Sequence, residues 1–184
     1  SELADQAESS NRQQLDTLLA QVAICRETLG RLRMTASGEH SAPPLAVDDL
    51  LLQLGARLAL YRPRSRFQLT RDGQRPAPVI HPEPTLQQAL LNLLDNAAAA
   101  SEQPVECRLS WGADRLEIDI LDQGPGFRDG PDSIGSKGEG LGMGLLLANA
   151  TIERFGGRVS LRQRPGGGAH VAIELPLERL EVSS

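Results

Sequence analysis

The sequence predicts an α+β fold: a two-layer α/β sandwich over residues 41–184, preceded by a helical segment in residues 1–40. Three observations lead to it. An apolar stripe at helical spacing precedes residue 40. Runs that alternate apolar and polar residues come in neighbouring pairs after residue 100. Helical stretches rich in Leu and Ala alternate with those runs.

In the first segment, Leu15, Leu18, Val22, Cys25, Leu29 and Leu32 follow one another at spacings of three and four, the a/d seam of a helix that packs on another helix. Gln, Asp and Arg fill much of the remainder. The stripe therefore calls for a partner helix or a second subunit, or for packing against its own domain. Ser37-Gly38-Glu39-His40-Ser41-Ala42-Pro43-Pro44 breaks the helix and reads as a linker.

Beyond it, Val47-Asp48-Asp49-Leu50 opens an amphipathic helix that ends before Pro63. Arg66 to Thr70 reads as a strand stopped by Asp72-Gly73, and the stretch from near Glu83 to Ala100 as a helix. Val105, Cys107, Leu109 and Trp111 alternate with polar residues, and Gly112-Ala113-Asp114 turns the chain back into Leu116, Ile118 and Ile120. A glycine-rich loop leads into a helix from about Leu141 to Phe155, ended by Gly156-Gly157. Arg158 to Arg164 and Ala169 to Leu175 form a last strand pair. The sheet is expected to be mostly antiparallel.

Composition narrows the function. Net charge is -5 and no Lys/Arg run stands out, which argues against tracking a nucleic-acid backbone. The longest apolar runs, such as Leu145 to Ala148, fall far short of the ~20 residues a membrane helix needs, and the polar opening Ser1-Glu2-Leu3-Ala4-Asp5 is no signal peptide. Cys25 and Cys107 stand in dissimilar surroundings and suggest no disulfide, so a reducing, cytoplasmic setting is expected.

Three clusters carry chemistry. On a helix, Asn92 and Asn96 stand one above the other. They are either polar residues facing solvent or a source of amide oxygen for Mg²⁺, which prefers oxygen ligands and keeps several waters. Asp122-Gln123-Gly124-Pro125-Gly126 follows an alternating strand. It reads either as a plain turn or as a carboxylate that accepts a base amino group, with glycines admitting close backbone approach. Gly138-Glu139-Gly140-Leu141-Gly142-Met143-Gly144 enters a helix directly. So many glycines cost stability in a helix, roughly 1 kcal/mol each, but suit backbone N–H groups that receive phosphate. The spacing fits neither the Walker nor the dinucleotide-binding glycine pattern.

In this order the three clusters resemble the nucleotide site shared by gyrase, the Hsp90 chaperones, histidine kinases and MutL, the Bergerat-type ATP-binding fold. Gly166-Gly167-Gly168-Ala169 and Val171 to Pro176 resemble the closing strand of that family, and the likeness spans about residues 45 to 178. The resemblance implies ATP and Mg²⁺ as ligands. It casts Asp122 as reader of the adenine amino group, flanked by Gly124 and Gly126, and Asn96 as metal ligand with Asn92 beside it. Gly140 to Gly144, Leu141 and Met143 included, would cradle phosphate, with Lys137 as a cation from the lid between the glycine boxes.

The family holds hydrolases and kinases. Its hydrolases place a Glu four residues before the metal-binding Asn; here that position is Asn92, a neutral amide without useful basicity. Asp95 points about 100° away from Asn96 around a helix and reads as a surface or hydrogen-bonding residue. Gln21 to Leu32 resembles the second helix of a histidine kinase dimerisation hairpin and is similar to the redox-responsive RegB/PrrB group, which makes Cys25 a candidate redox thiol. Packing of a small apolar residue in the seam is the other reading of Cys25.

The resemblance therefore implies the catalytic portion of a sensor histidine kinase in a two-component system. It would be a homodimer through the N-terminal helix that transfers the γ-phosphoryl group to a histidine for relay to a response regulator. The alternatives are a hydrolytic ATPase of the same superfamily and a non-catalytic dimerisation module. None of His40, His81 and His170 stands in a His-Glu-x-x-Thr/Asn-Pro motif, so the acceptor and any membrane anchor are expected in segments outside this sequence. Only Phe127 to Glu139 separate the glycine boxes, and Ala169 stands where a Thr is usual.

Overall fold

The computed structural model describes residues 43–73, 75–126 and 143–180, all within the second of the chain's two units, Ser41–Ser184. Seven strands and three helices are described: β1 (Leu45–Ala46), α1 (Val47–Tyr61), β2 (Phe67–Gly73), β3 (Val79–Ile80), α2 (Pro84–Ala100), β4 (Val105–Trp111), β5 (Arg115–Leu121), α3 (Met143–Arg154), β6 (Arg158–Gln163) and β7 (Ala169–Pro176). A short 3₁₀ turn, Leu177–Arg179, closes this unit.

Five strands form one sheet in the order β2-β4-β5-β7-β6. The β4–β5 hairpin pairs Leu109 with Ile118, and its Gly112 N–H donates to the Arg115 carbonyl at 2.9 Å. Alternation decides which face each residue takes. Val105, Cys107 and Leu109 join Leu116, Ile118, Ile120, Val171, Ile173 and Leu175 in one buried cluster with Leu50, Leu54, Leu86, Leu90, Leu94 and Ile152 of the helices. The opposite face carries the intervening residues. It carries an ion pair, Arg115 with Glu174 at 3.4 Å, and a hydrogen bond between His170 Nε2 and Asp119 Oδ1 at 2.6 Å. With helices on one face and charge on the other, this unit is the expected two-layer sandwich.

Among the described residues the expected elements form with small shifts at their ends, the helix expected before residue 40 lies outside them, and three features go beyond expectation. First, β2 does not stop before Asp72-Gly73. It pairs with β4 through Gly73, opposite Trp111, where a side chain in place of hydrogen would run into the indole. Second, that pairing is parallel, with α2 as the crossover that parallel strands require. Third, β1 and β3 form a separate two-stranded ribbon, with Val47 N–H donating to the Pro78 carbonyl at 2.9 Å. Each of those strands has two residues, too few to show a period.

Two helix ends are set locally. Pro84 occupies the first turn of α2, where its missing N–H costs nothing. After α3 the chain turns at Gly156, with φ of 75°, and Gly157 N–H reaches back to the Ile152 carbonyl at 3.0 Å.

Candidate functional site

Described members of the three clusters meet at the C-terminal half of α2. Asn96 lies exposed on this helix. A methyl group placed on Gly144, at the start of α3, would stand 3.9 Å from Asn96 Nδ2, so Gly144 lies beside that amide. One turn further along α2, a methyl on Gly124 would stand 2.5 Å from the Ala100 carbonyl oxygen and 2.8 Å from its Cβ. Only glycine lets the first glycine loop lie this close to the helix end. At the far end of the two helices, Arg154 of α3 donates to Thr85 Oγ1 of α2 at 2.6 Å, so the pair runs antiparallel.

Asp122 stands at the mouth of this arrangement. It is 5% exposed and the one buried charged side chain among the described residues. A buried carboxylate needs donors, and two backbone amides supply them: Gly124 N–H at 2.8 Å and Ala169 N–H at 3.0 Å, both to Oδ1. Oδ2 accepts from neither. The backbone of Asp122 is held as tightly. Its N–H donates to the Ala169 carbonyl at 3.1 Å, and its own carbonyl accepts from Arg164 Nη1 at 2.6 Å. Gly166, Gly167 and Gly168 in the β6–β7 loop all have positive φ, and Gly168 packs directly on the Asp122 carbonyl.

The other expected site residues fall as follows. Gly126 has φ of 76°, and a substituent there would meet the Gln163 carboxamide. Asn92, one turn before Asn96, is half-buried, and its Oδ1 accepts from Gln88 Nε2 at 2.8 Å. Asp95 is gripped by Arg62 through two bonds, Nε to Oδ1 at 2.5 Å and Nη2 to Oδ2 at 3.1 Å, which ties the end of α1 to α2. The Asp95 hydrogen bond raises the Arg62 guanidinium above its ordinary value. This is the hydrogen-bonding role foreseen for Asp95. Lys137, Gly140, Leu141 and Gly142 lie outside the described residues, as do the Met143 side chain and Cys25. Cys107 is fully buried, and burial first, then the Asp119 charge, pushes its thiol up to about 12.

Sequence reasoning missed Arg164 and Gln163. Their contacts with Asp122 and with the Pro125 carbonyl (Gln163 Nε2, 3.4 Å) join residues 42 and 38 positions apart, and no spacing rule reports such a pair.

A buried, amide-held carboxylate beside a glycine loop, on a helix-covered sheet and next to an exposed helical amide, defines an ATP-binding sandwich of the histidine kinase type. The model of the family described as histidine kinase-, DNA gyrase B- and HSP90-like ATPase matches residues 81–179, more than half of the 184-residue chain, and the chain belongs to that family. Among curated relatives it is similar to the sensor histidine kinase AruS of Pseudomonas aeruginosa, at 31% identity over 88% of this chain and 18% of that protein. It is also similar to the sensor histidine kinase RegB of Cereibacter sphaeroides, at 26% identity over 99% of this chain and 46% of that protein. The chain thus spans less than half the length of either. Among solved structures, the mycobacterial sensor histidine kinase MprB shares the fold, with a TM-score of 0.61 and 23% identity over 76% of this chain and 98% of that chain. The full-length ShkA structure, solved in complex with AMPPNP, has a TM-score of 0.60 and 25% identity, covering 79% of this chain and 32% of that one.

Proposed function

We propose that this chain is the Mg–ATP-binding catalytic portion of a sensor histidine kinase. It would present the γ-phosphoryl group to a histidine, for relay to a response regulator. The observation that carries this reading is the convergence of Asp122, Gly124, Asn96 and Gly144 at one end of α2. Asp122 Oδ2 would accept the adenine amino group, and the α3 N-terminus beside Asn96 would face phosphate.

The residues fit a magnesium ion of modest protein coordination. Among the described residues no group of three or more His, Cys, Asp or Glu could hold a metal. Asn96 supplies one exposed amide oxygen, and phosphate and water would supply the rest, as Mg²⁺ prefers. When bound, the ion would neutralise charge developing on the phosphates. The chain's own part is to orient the nucleotide through Asp122 and the helix N-terminus. Asn92 in place of a carboxylate favours phosphoryl transfer over hydrolysis, since an amide whose oxygen already accepts from Gln88 does not activate water.

The remaining assignments belong to the same proposal. Residues 1–40 would be part of a dimerisation helix, with Cys25 as a redox-responsive thiol and Lys137 as a phosphate contact. The chain would be the cytoplasmic portion of a membrane-anchored sensor. Among the described residues no helix is long and apolar enough to cross a membrane.

Calorimetry with Mg–ADP tests the reading. The chain should bind, and Asp122→Asn should weaken binding by about 2 kcal/mol or more, because the new amide turns a donor toward the adenine amine. Equal binding by a folded Asp122→Asn variant refutes the site.

A further inference from the structure

The β6–β7 connection grips the base-reading loop by more than backbone pairing. Arg164 Nη1 donates to the Asp122 carbonyl at 2.6 Å, a short charge-assisted bond from a half-buried guanidinium. Its neighbour Gln163 donates to the Pro125 carbonyl at 3.4 Å. Arg164 is itself fixed at both ends of its peptide unit. Its N–H donates to the Gly168 carbonyl at 3.0 Å, and its carbonyl accepts from Gly167 N–H at 3.1 Å. The side chain therefore leaves a rigid, three-glycine hairpin and ends on the peptide group that carries the Asp122 carboxylate.

From this geometry we infer that Arg164 is a positioning residue for base recognition: by holding the Asp122 carbonyl, it fixes the direction in which Oδ2 faces the base. The inference rests on the proposed role of Asp122. Two neighbouring contacts sharpen it. Ala169 N–H and Gly124 N–H set one carboxylate oxygen from the side-chain end, while Arg164 sets the backbone end of the same residue. With both ends tied, the carboxylate keeps one orientation. Without Arg164 the backbone end keeps only its N–H bond to the Ala169 carbonyl, and the loop gains freedom to rotate about that bond and the amide pair. A rotation of this kind weakens the reading of the exocyclic amine more than it weakens contacts to ribose and phosphate.

The test measures affinity for Mg–ADP and for Mg–IDP, whose base carries a carbonyl in place of that amine, in the 184-residue chain and its variants. In the parent chain ADP binds more tightly. Arg164→Ala should lose about tenfold in ADP affinity, the scale of one charge-assisted hydrogen bond. Its IDP affinity should change little, so the ADP/IDP ratio drops toward one. Arg164→Lys, which keeps a cationic donor without the planar fork, should recover part of the ratio. A loss merely of structure would lower both affinities together along with the melting temperature, and that result overturns the inference. So does an unchanged ratio in a folded Arg164→Ala. Should Arg164→Ala fail to fold, Arg164→Gln keeps the stem, loses the charge and reads the same ratio. If Asp122→Asn abolishes ADP binding while the Arg164 variants keep the parent ratio, only the role of Arg164 falls. If the parent chain binds no nucleotide, the proposed function falls and takes this inference with it.

Discussion

Gly168→Ala is the sharpest test of how the site is built. Gly168 has φ of 92°, a region that L side chains rarely occupy, which costs about 1–3 kcal/mol for alanine. The added methyl would also press on the backbone of the Asp122 loop. It would stand 3.0 Å from the Asp122 carbonyl carbon and 3.1 Å from Gln123 Cα, and closer still to the Asp122 oxygen. Backbone cannot rotate aside as a side chain can, so overpacking adds about 1–3 kcal/mol. Gly166→Ala isolates the second contribution. Gly166 has almost the same φ, 89°, but nothing lies within 4 Å of its added methyl. Urea unfolding should therefore show a loss of about 1–3 kcal/mol for Gly166→Ala and about 2–6 kcal/mol for Gly168→Ala. In a thermal melt each kcal/mol corresponds to roughly 3 °C for a protein of this size. Mg–ADP affinity should fall for Gly168→Ala and stay near that of the parent for Gly166→Ala. Equal losses of stability in the two variants would refute the packing of the glycine loop on Asp122.

Three further outcomes are expected. Because Asn96 is exposed, Asn96→Ala should change stability by no more than about 0.5 kcal/mol yet abolish the Mg²⁺ dependence of nucleotide affinity; calorimetry with and without Mg²⁺ that shows the dependence intact removes Asn96 from the metal. Cys107, with its thiol raised from 9.0 to about 12, should resist thiol reagents in a folded Cys25→Ala variant. The raised value also fixes the sign of a pH effect. The unfolded chain loses this proton first, so the contribution is whole below about pH 9 and lost as pH climbs toward 12. Denaturation at pH 8 and pH 10 should show that fall, and Cys107→Val should reduce it. Rapid labelling of Cys107 in the folded state would contradict its burial.

The sequence by itself determined the elements whose period repeats. Val105 to Trp111 and Leu116 to Ile120 alternate long enough for a two-residue period to be read, and the helix from Pro84 to Ala100 has Leu and Ala to fill a buried face. Asp122 and the glycine clusters stood out as candidates for a similar reason. Glycines in such number are poor helix and strand formers, so their presence asks for an account other than stability.

Tertiary structure decided what depends on residues distant in the chain. The parallel β2–β4 pair is one case, because strand direction follows from the route of the connection and not from composition. The two-residue strands β1 and β3 are another, each paired with the other and anchored on the core through Ile80 and Leu45. The grip of Arg62 on Asp95 spans 33 positions and that of Arg164 on Asp122 spans 42, and nothing local distinguishes either arginine from its solvated neighbours. Periodicity reports the face a residue turns toward the core. It says nothing of which side chain waits there from another element, as Arg164 does for the Asp122 carbonyl.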